Sequence, residues 1–173
     1  MTSKAYFRTD AVAAALLVLW AGMVLGFAAL MAPLLFSSLP SRDLAGSIAS
    51  KVVARLDLAA FLSFGGAMAL ALVPRWLRDT RDADALGPQR LWGAAALVAL
   101  LVCFASAFIL SPKLHELRVR MNGPIEALAA DSPDRAAYQK AHGISRQFMG
   151  LRLLLALGLT AGLAALPRNR PEA

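Results

Sequence analysis

Four stretches of the chain carry no charged residue: 11–35, 58–73, 91–110 and 153–166. Lys, Arg, Asp and Glu are confined to the segments around them. At 1.5 Å per residue the first stretch reaches about 37 Å and the third about 30 Å as helices, enough for a hydrocarbon core of about 30 Å. Helices satisfy their own backbone polar groups in lipid. The pattern therefore predicts an all-α, four-helix transmembrane bundle in one domain over 1–173. Its spans fall at about 11–35, 56–73, 91–110 and 148–166, with both termini on one side.

The second and fourth stretches are short, about 24 and 21 Å as helices. To span, the second must take in Asp57 and the fourth Arg152, and both helices begin at the same membrane face. A charge below the headgroups is costly unless it snorkels or is paired. Three arrangements are open: an Asp57–Arg152 pair, two side chains snorkelling separately, or Asp57 paired with Arg55. Pro33 is the expected kink site of the first span. Trp20 falls mid-span and is expected to pack on another helix, whereas Trp92 and Trp76 are expected at an interface.

Between the first two spans, Ser41 is a plausible N-cap, and Leu44, Ile48 and Val52 recur four residues apart. A helix from about 42 to 73 is expected, beginning outside the bilayer. The segment 74–90 reads as a charged loop turning at Gly87-Pro88. Ser111-Pro112 is expected to start a helix that Asn122-Gly123-Pro124 stops, with a short helical turn between Met121 and Asp131. Ser132-Pro133-Asp134 is expected to start another that continues into the fourth span. Two spanning helices thus extend beyond the membrane on the face that carries Asp57 and Arg152.

Composition agrees with a membrane class. Of 173 residues, 58% are hydrophobic and 17% charged, below the roughly one-quarter usual for soluble domains, and the mean hydropathy is +0.59. The net charge of +7 flanks apolar runs and forms no contiguous basic face, so membrane lipid is the expected partner and nucleic acid is not. Lys and Arg are denser in the short segments on the side of the termini, which favours cytoplasmic termini, in a bacterial inner (cell) membrane. Lys4 and Arg8 resemble the start of a signal peptide, but the run behind them is long enough to read as an uncleaved span. Cys103, the single cysteine, lies in an apolar run and reads as a small buried hydrophobe. Gly22/Gly26 and Gly158/Gly162 are GxxxG pairs, which allow close helix packing within one chain or in a homo-oligomer.

Candidate chemistry is sparse. His115 and His142 flank spans three and four near one face; imidazole pairs hold haem or copper in some bundles. Neither lies in an apolar run, so no cofactor is favoured, with haem or copper at His142 as the alternative. His142 is expected to make structural hydrogen bonds and His115 to be solvated. Ser145, His142 and Asp57 have no spacing that supports a triad. No GxSxG, HExxH or phosphate-binding loop is present, so an enzyme is not expected. Asp57 and Arg152 leave an ion-linked permease as a further alternative to a small interaction or accessory module.

Three motifs in order carry a resemblance. Trp20-Ala-Gly22-Met-Val-Leu-Gly26 is followed by Pro33, Phe36 and Pro40; Ser111-Pro112-Lys-Leu-His115-Glu-Leu-Arg118 follows span three; Tyr138-Gln-Lys-Ala-His142-Gly143-Ile-Ser145 enters span four. Together they resemble the transmembrane-protein-205-like domain family over nearly the whole chain, with Tyr138 where Phe is the family pattern. The resemblance implies a four-span membrane protein and no settled activity.

Overall fold

The structure is a computed structural model that describes residues 3–76, 83–121, 124, 128–129 and 131–166; of these, the side chains of 3–7, 74–76, 83–86 and 165 are left aside. The described residues are helical almost throughout. Helix α1 (Ser3–Gly26) runs through a π turn (Phe27–Met31) into α2 (Ala32–Ser38), and α3 spans Arg42–Trp76. Helix α4 (Ala83–Phe104) runs through a second π turn (Ala105–Leu110) into α5 (Ser111–Met121), and α6 (Pro133–Gly162) closes in a 3₁₀ turn (Leu163–Ala165). There are thus four long helices. Three of them, over Arg8–Ser38, Arg42–Val73 and Gly87–Met121, are long and apolar enough to cross a membrane. Helix α6 falls short of that because Arg146 and Gln147 precede its apolar part and Arg152 interrupts it.

The long helices touch in ring order: α1 against α3, α3 against α4, α4 against α6 and α6 against α1. Buried residues on each alternate three and four apart, the spacing of a seam that faces its neighbours. The seams are Asp10, Ala13, Leu17, Trp20 and Val24 on α1, and Asp57, Ala60, Phe64, Ala67 and Ala71 on α3. On α4 they are Trp92, Ala96, Ala99, Cys103 and Ser106; from α6 onward, Arg152, Ala156, Leu159, Leu163 and Leu166. Alanine predominates, so the helices approach closely. The seams of α3, α4 and α6 reach the same end of the bundle in polar residues, while Asp10 lies at the opposite end of α1.

Each π turn ends two residues before a proline. The Ala32 N–H donates to the Phe27 carbonyl, and the Ser111 N–H to the Ser106 carbonyl, each five residues back. Pro33 and Pro112 lack an N–H, and their rings would clash with the carbonyl four residues back in an α-helix. A widened turn relieves this. The expected kink at Pro33 therefore takes the form of a π turn. Ser111-Pro112 does not start a new helix, as the sequence suggested; the chain is one helix from 83 to 121.

Other expectations are also corrected. Gly87-Pro88 lies inside α4 rather than in a turn; near a helix start, the hydrogen bond lost at Pro88 is a minor defect. Trp92 is buried among the helices: its indole donates to the Leu159 carbonyl at 2.9 Å, and its Cδ1 lies 2.9 Å from where a Cβ on Gly162 would stand. At the polar end α5 prolongs α4. Ser41 caps α3 through its hydroxyl to the Leu44 N–H at 3.1 Å, and Ser132 precedes α6 with Pro133 in its first turn. Most of the segment between Met121 and Asp131, the Trp76 side chain and the centre of the 74–90 connection lie outside what is described.

Candidate functional site

The polar seam ends assemble one centre to which all four long helices contribute. Arg152 of α6 donates from Nη1 to Asp57 Oδ1 of α3 at 2.6 Å, with the two side chains only 1% and 4% exposed. Helices α3 and α6 stand on the diagonal of the ring, so the pair bridges the bundle interior. The neighbouring helices close round it. Trp20 of α1 lies with its ring centroid 5.8 Å from Arg152 Cζ, a cation–π distance, and its indole donates to the Leu56 carbonyl at 3.0 Å. The Trp20 ring meets Phe64 edge-on, at 5.3 Å between centroids. Met149, one turn before Arg152, takes a contact from Nη2 at 3.6 Å to its sulfur.

The second π turn completes the centre. Ser106 and Ser111 donate to Asp57 Oδ2 at 3.5 and 3.4 Å. In an α-helix, residues five apart diverge by about 140°; a turn closed from i to i+5 sets them one above the other. Without it only one serine would face Asp57. Pro112, through the turn it enforces, thus bears on the carboxylate. Arg152 Nε is buried and has no hydrogen-bond partner among the described residues, which costs about 1–3 kcal/mol.

Outside the centre, α5 and the first half of α6 form a cap. Leu117 and Met121 of α5 and Ala141 of α6 are buried. Arg118 donates from Nη2 to the Asp43 carboxylate at 2.6 Å and to its carbonyl at 2.8 Å, tying α5 to the start of α3. Glu116 is paired on its own helix with Lys113 and Arg120.

Of the residues the sequence singled out, Asp57 and Arg152 meet, and Arg55 is exposed and does not share in the pair. His115 and His142 are both exposed. His142 stacks on Tyr138, with rings 4° from parallel and centroids 6.0 Å apart; its pKa is lowered, first by partial burial and then by Arg146. Ser145 is half-buried, and Phe36 is exposed. Among the described residues no three His, Cys, Asp or Glu side chains are grouped so as to hold a metal. Gly162 serves close packing against Trp92, whereas a Cβ on Gly22, Gly26 or Gly158 would meet nothing within 4 Å. The sequence reading missed Ser106, Ser111, Met149 and the role of Trp20 at the pair. The signal that reaches Ser106 is the three-four seam, continued one step past Cys103.

A family model described as a domain of unknown function (DUF4149) matches residues 15–123, which covers spans one to three and α5. Nothing links that family to the transmembrane-protein-205-like one that the motifs resemble. No curated protein and no solved structure matches the chain.

Proposed function

The chain belongs to the DUF4149 family, and from that premise we propose a small membrane module that acts through its lipid-facing surface, in contact with lipid or another membrane protein. In this reading all four helices cross the membrane, α6 carrying Arg152 across as half of a neutral pair, and the termini lie on the cytoplasmic side of a bacterial cell membrane. The motif resemblance to transmembrane-protein-205-like proteins supports the four-span reading. The protein is neither an enzyme nor a solute carrier.

One observation carries the proposal: the charges in the interior are neutralised within the chain and sealed from solvent, at 1% and 4% exposure. Intramembrane charges that serve a pathway face the bundle interior or a water-filled cavity; these face each other, two hydroxyls, a thioether and an indole, and are all but closed to solvent. The test is flux in proteoliposomes. Protein-loaded vesicles are expected to pass protons, Na⁺ and K⁺ no faster than empty ones, and Asp57→Asn to lower stability without changing flux. A proton or cation current above the empty-vesicle level that Asp57→Asn abolishes would replace this reading with an ion-linked permease. An absorption spectrum and metal analysis of detergent-purified protein separate it from the haem or copper alternative at His142; a colourless, metal-free protein is expected.

A further inference from the structure

The outer face of α3 carries a pattern that the interior does not explain. Lys51, Arg55, Leu58, Leu62, Ala69 and Val73 are all exposed, and at 100° per residue they fall within about 40° of one line along the helix. The first two are cations one turn apart. The rest are apolar, and Leu58 and Leu62 are 55% and 68% exposed. Gly65, on the same line, leaves open space where a side chain would be.

Asp43 is held by Arg118, Asp57 by Arg152, and Glu116 by Lys113 and Arg120. Among the described residues no ion pair reaches Lys51 or Arg55. Helices α5 and α6, whose polar ends share this end of the bundle, lack this combination. On α6 the exposed line through Leu154 passes Gly150 and Gln147 and meets its first cation, Lys140, four turns away. On α5 the cation beside the apolar surface, Lys113, is already paired.

We propose that Lys51 and Arg55 form a headgroup site for an anionic phospholipid, whose acyl chain lies along Leu58, Leu62 and the gap at Gly65. The inference rests on the membrane reading above and names a partner for that surface. The distances match: one leaflet's hydrocarbon, about 15 Å, is ten helical residues, which is the step from Arg55 to Gly65. A guanidinium and an ammonium on one helix face supply the fork and the point charge that a phosphodiester accepts. Zwitterionic lipid would find the same groove but gain less from the charges.

The experiment compares phosphatidylglycerol with phosphatidylcholine on full-length protein in nanodiscs, reading bound lipid by native mass spectrometry and by spin-labelled lipid. Wild type is expected to prefer phosphatidylglycerol. Lys51→Gln with Arg55→Gln should cut that preference by about tenfold or more, since each interfacial cation contributes about fivefold. Lys51→Arg with Arg55→Lys should retain it, and Lys140→Gln with Arg146→Gln should leave it unchanged. Millimolar inorganic phosphate should not compete, because it lacks the acyl chain; competition would overturn the lipid assignment in favour of free phosphate. No preference in wild type, or equal losses in both Gln pairs, would also overturn it. Failure of the membrane reading looks different: the protein would then be stripped from membranes by alkaline carbonate.

Discussion

At the end of the bundle nearer the termini, Trp92 of α4 donates its indole proton to a carbonyl of α6 and lies over Gly162. At the other end, Arg152 of α6 reaches across the diagonal to Asp57 of α3. Both are polar contacts between helices in an apolar interior, yet they differ in what remains when one partner is lost. Removing the indole leaves a carbonyl that still has its own helical partner. Removing the guanidinium leaves a carboxylate with two hydroxyls and no counter-charge where water does not reach. One level of the bundle tolerates change, and the other admits it only in pairs.

The sharpest break of that comparison is Arg152→Ala, expected to lower unfolding stability by about 3–5 kcal/mol because Asp57 is left uncompensated. Asp57→Leu combined with Arg152→Met should recover most of this, as seen by denaturation of detergent-solubilised protein; equal losses in the single and double variants would mean the pair is not coupled. At the tryptophan end, Gly162→Ala puts a Cβ 2.9 Å from Trp92 Cδ1 and should cost about 1–3 kcal/mol. Gly22→Ala, into open space, should change stability by no more than about 0.5 kcal/mol. Trp92→Phe, which deletes the hydrogen bond to Leu159 and keeps an aromatic ring, should cost about 0.6 kcal/mol, the usual worth of such bonds in membrane bundles.

The smallest effect is one of pH, outside both levels. His142 has a lowered pKa when folded, so the unfolded chain binds the proton more readily. Its contribution is present above the unfolded value of about 6.5 and lost as pH falls through the folded one. Wild type should therefore lose slightly more stability than His142→Gln between pH 7 and pH 5 in thermal denaturation; parallel curves would sink the assignment.

The helices, and the need for Asp57 and Arg152 to enter the bundle, were legible because charge-free runs measure length directly. Their pairing was one of three open arrangements, since sequence gives depth but not azimuth. Azimuth lies in the seam: continuing Trp92, Ala96, Ala99 and Cys103 leads to Ser106. Ser111 was out of reach because it faces Asp57 only through a π turn, and a proline reads equally as a helix start. The partner of Trp92 was out of reach for a related reason. An indole near a span's end can face lipid or another helix, and a facing glycine, Gly162, marks the second.

The π turn before Pro112 also sets the phase between two parts of one helix. Counting from Trp92, the chain past Leu110 carries one residue more than an α-helix would need, so α5 is turned by about 100° from where α4 would have sent it. That offset aims Ser111 at Asp57 and Arg118 at Asp43. A regular α-helix over Ala105–Leu110, with no residue removed, would leave every side chain of the cap in place along the sequence and point them all elsewhere.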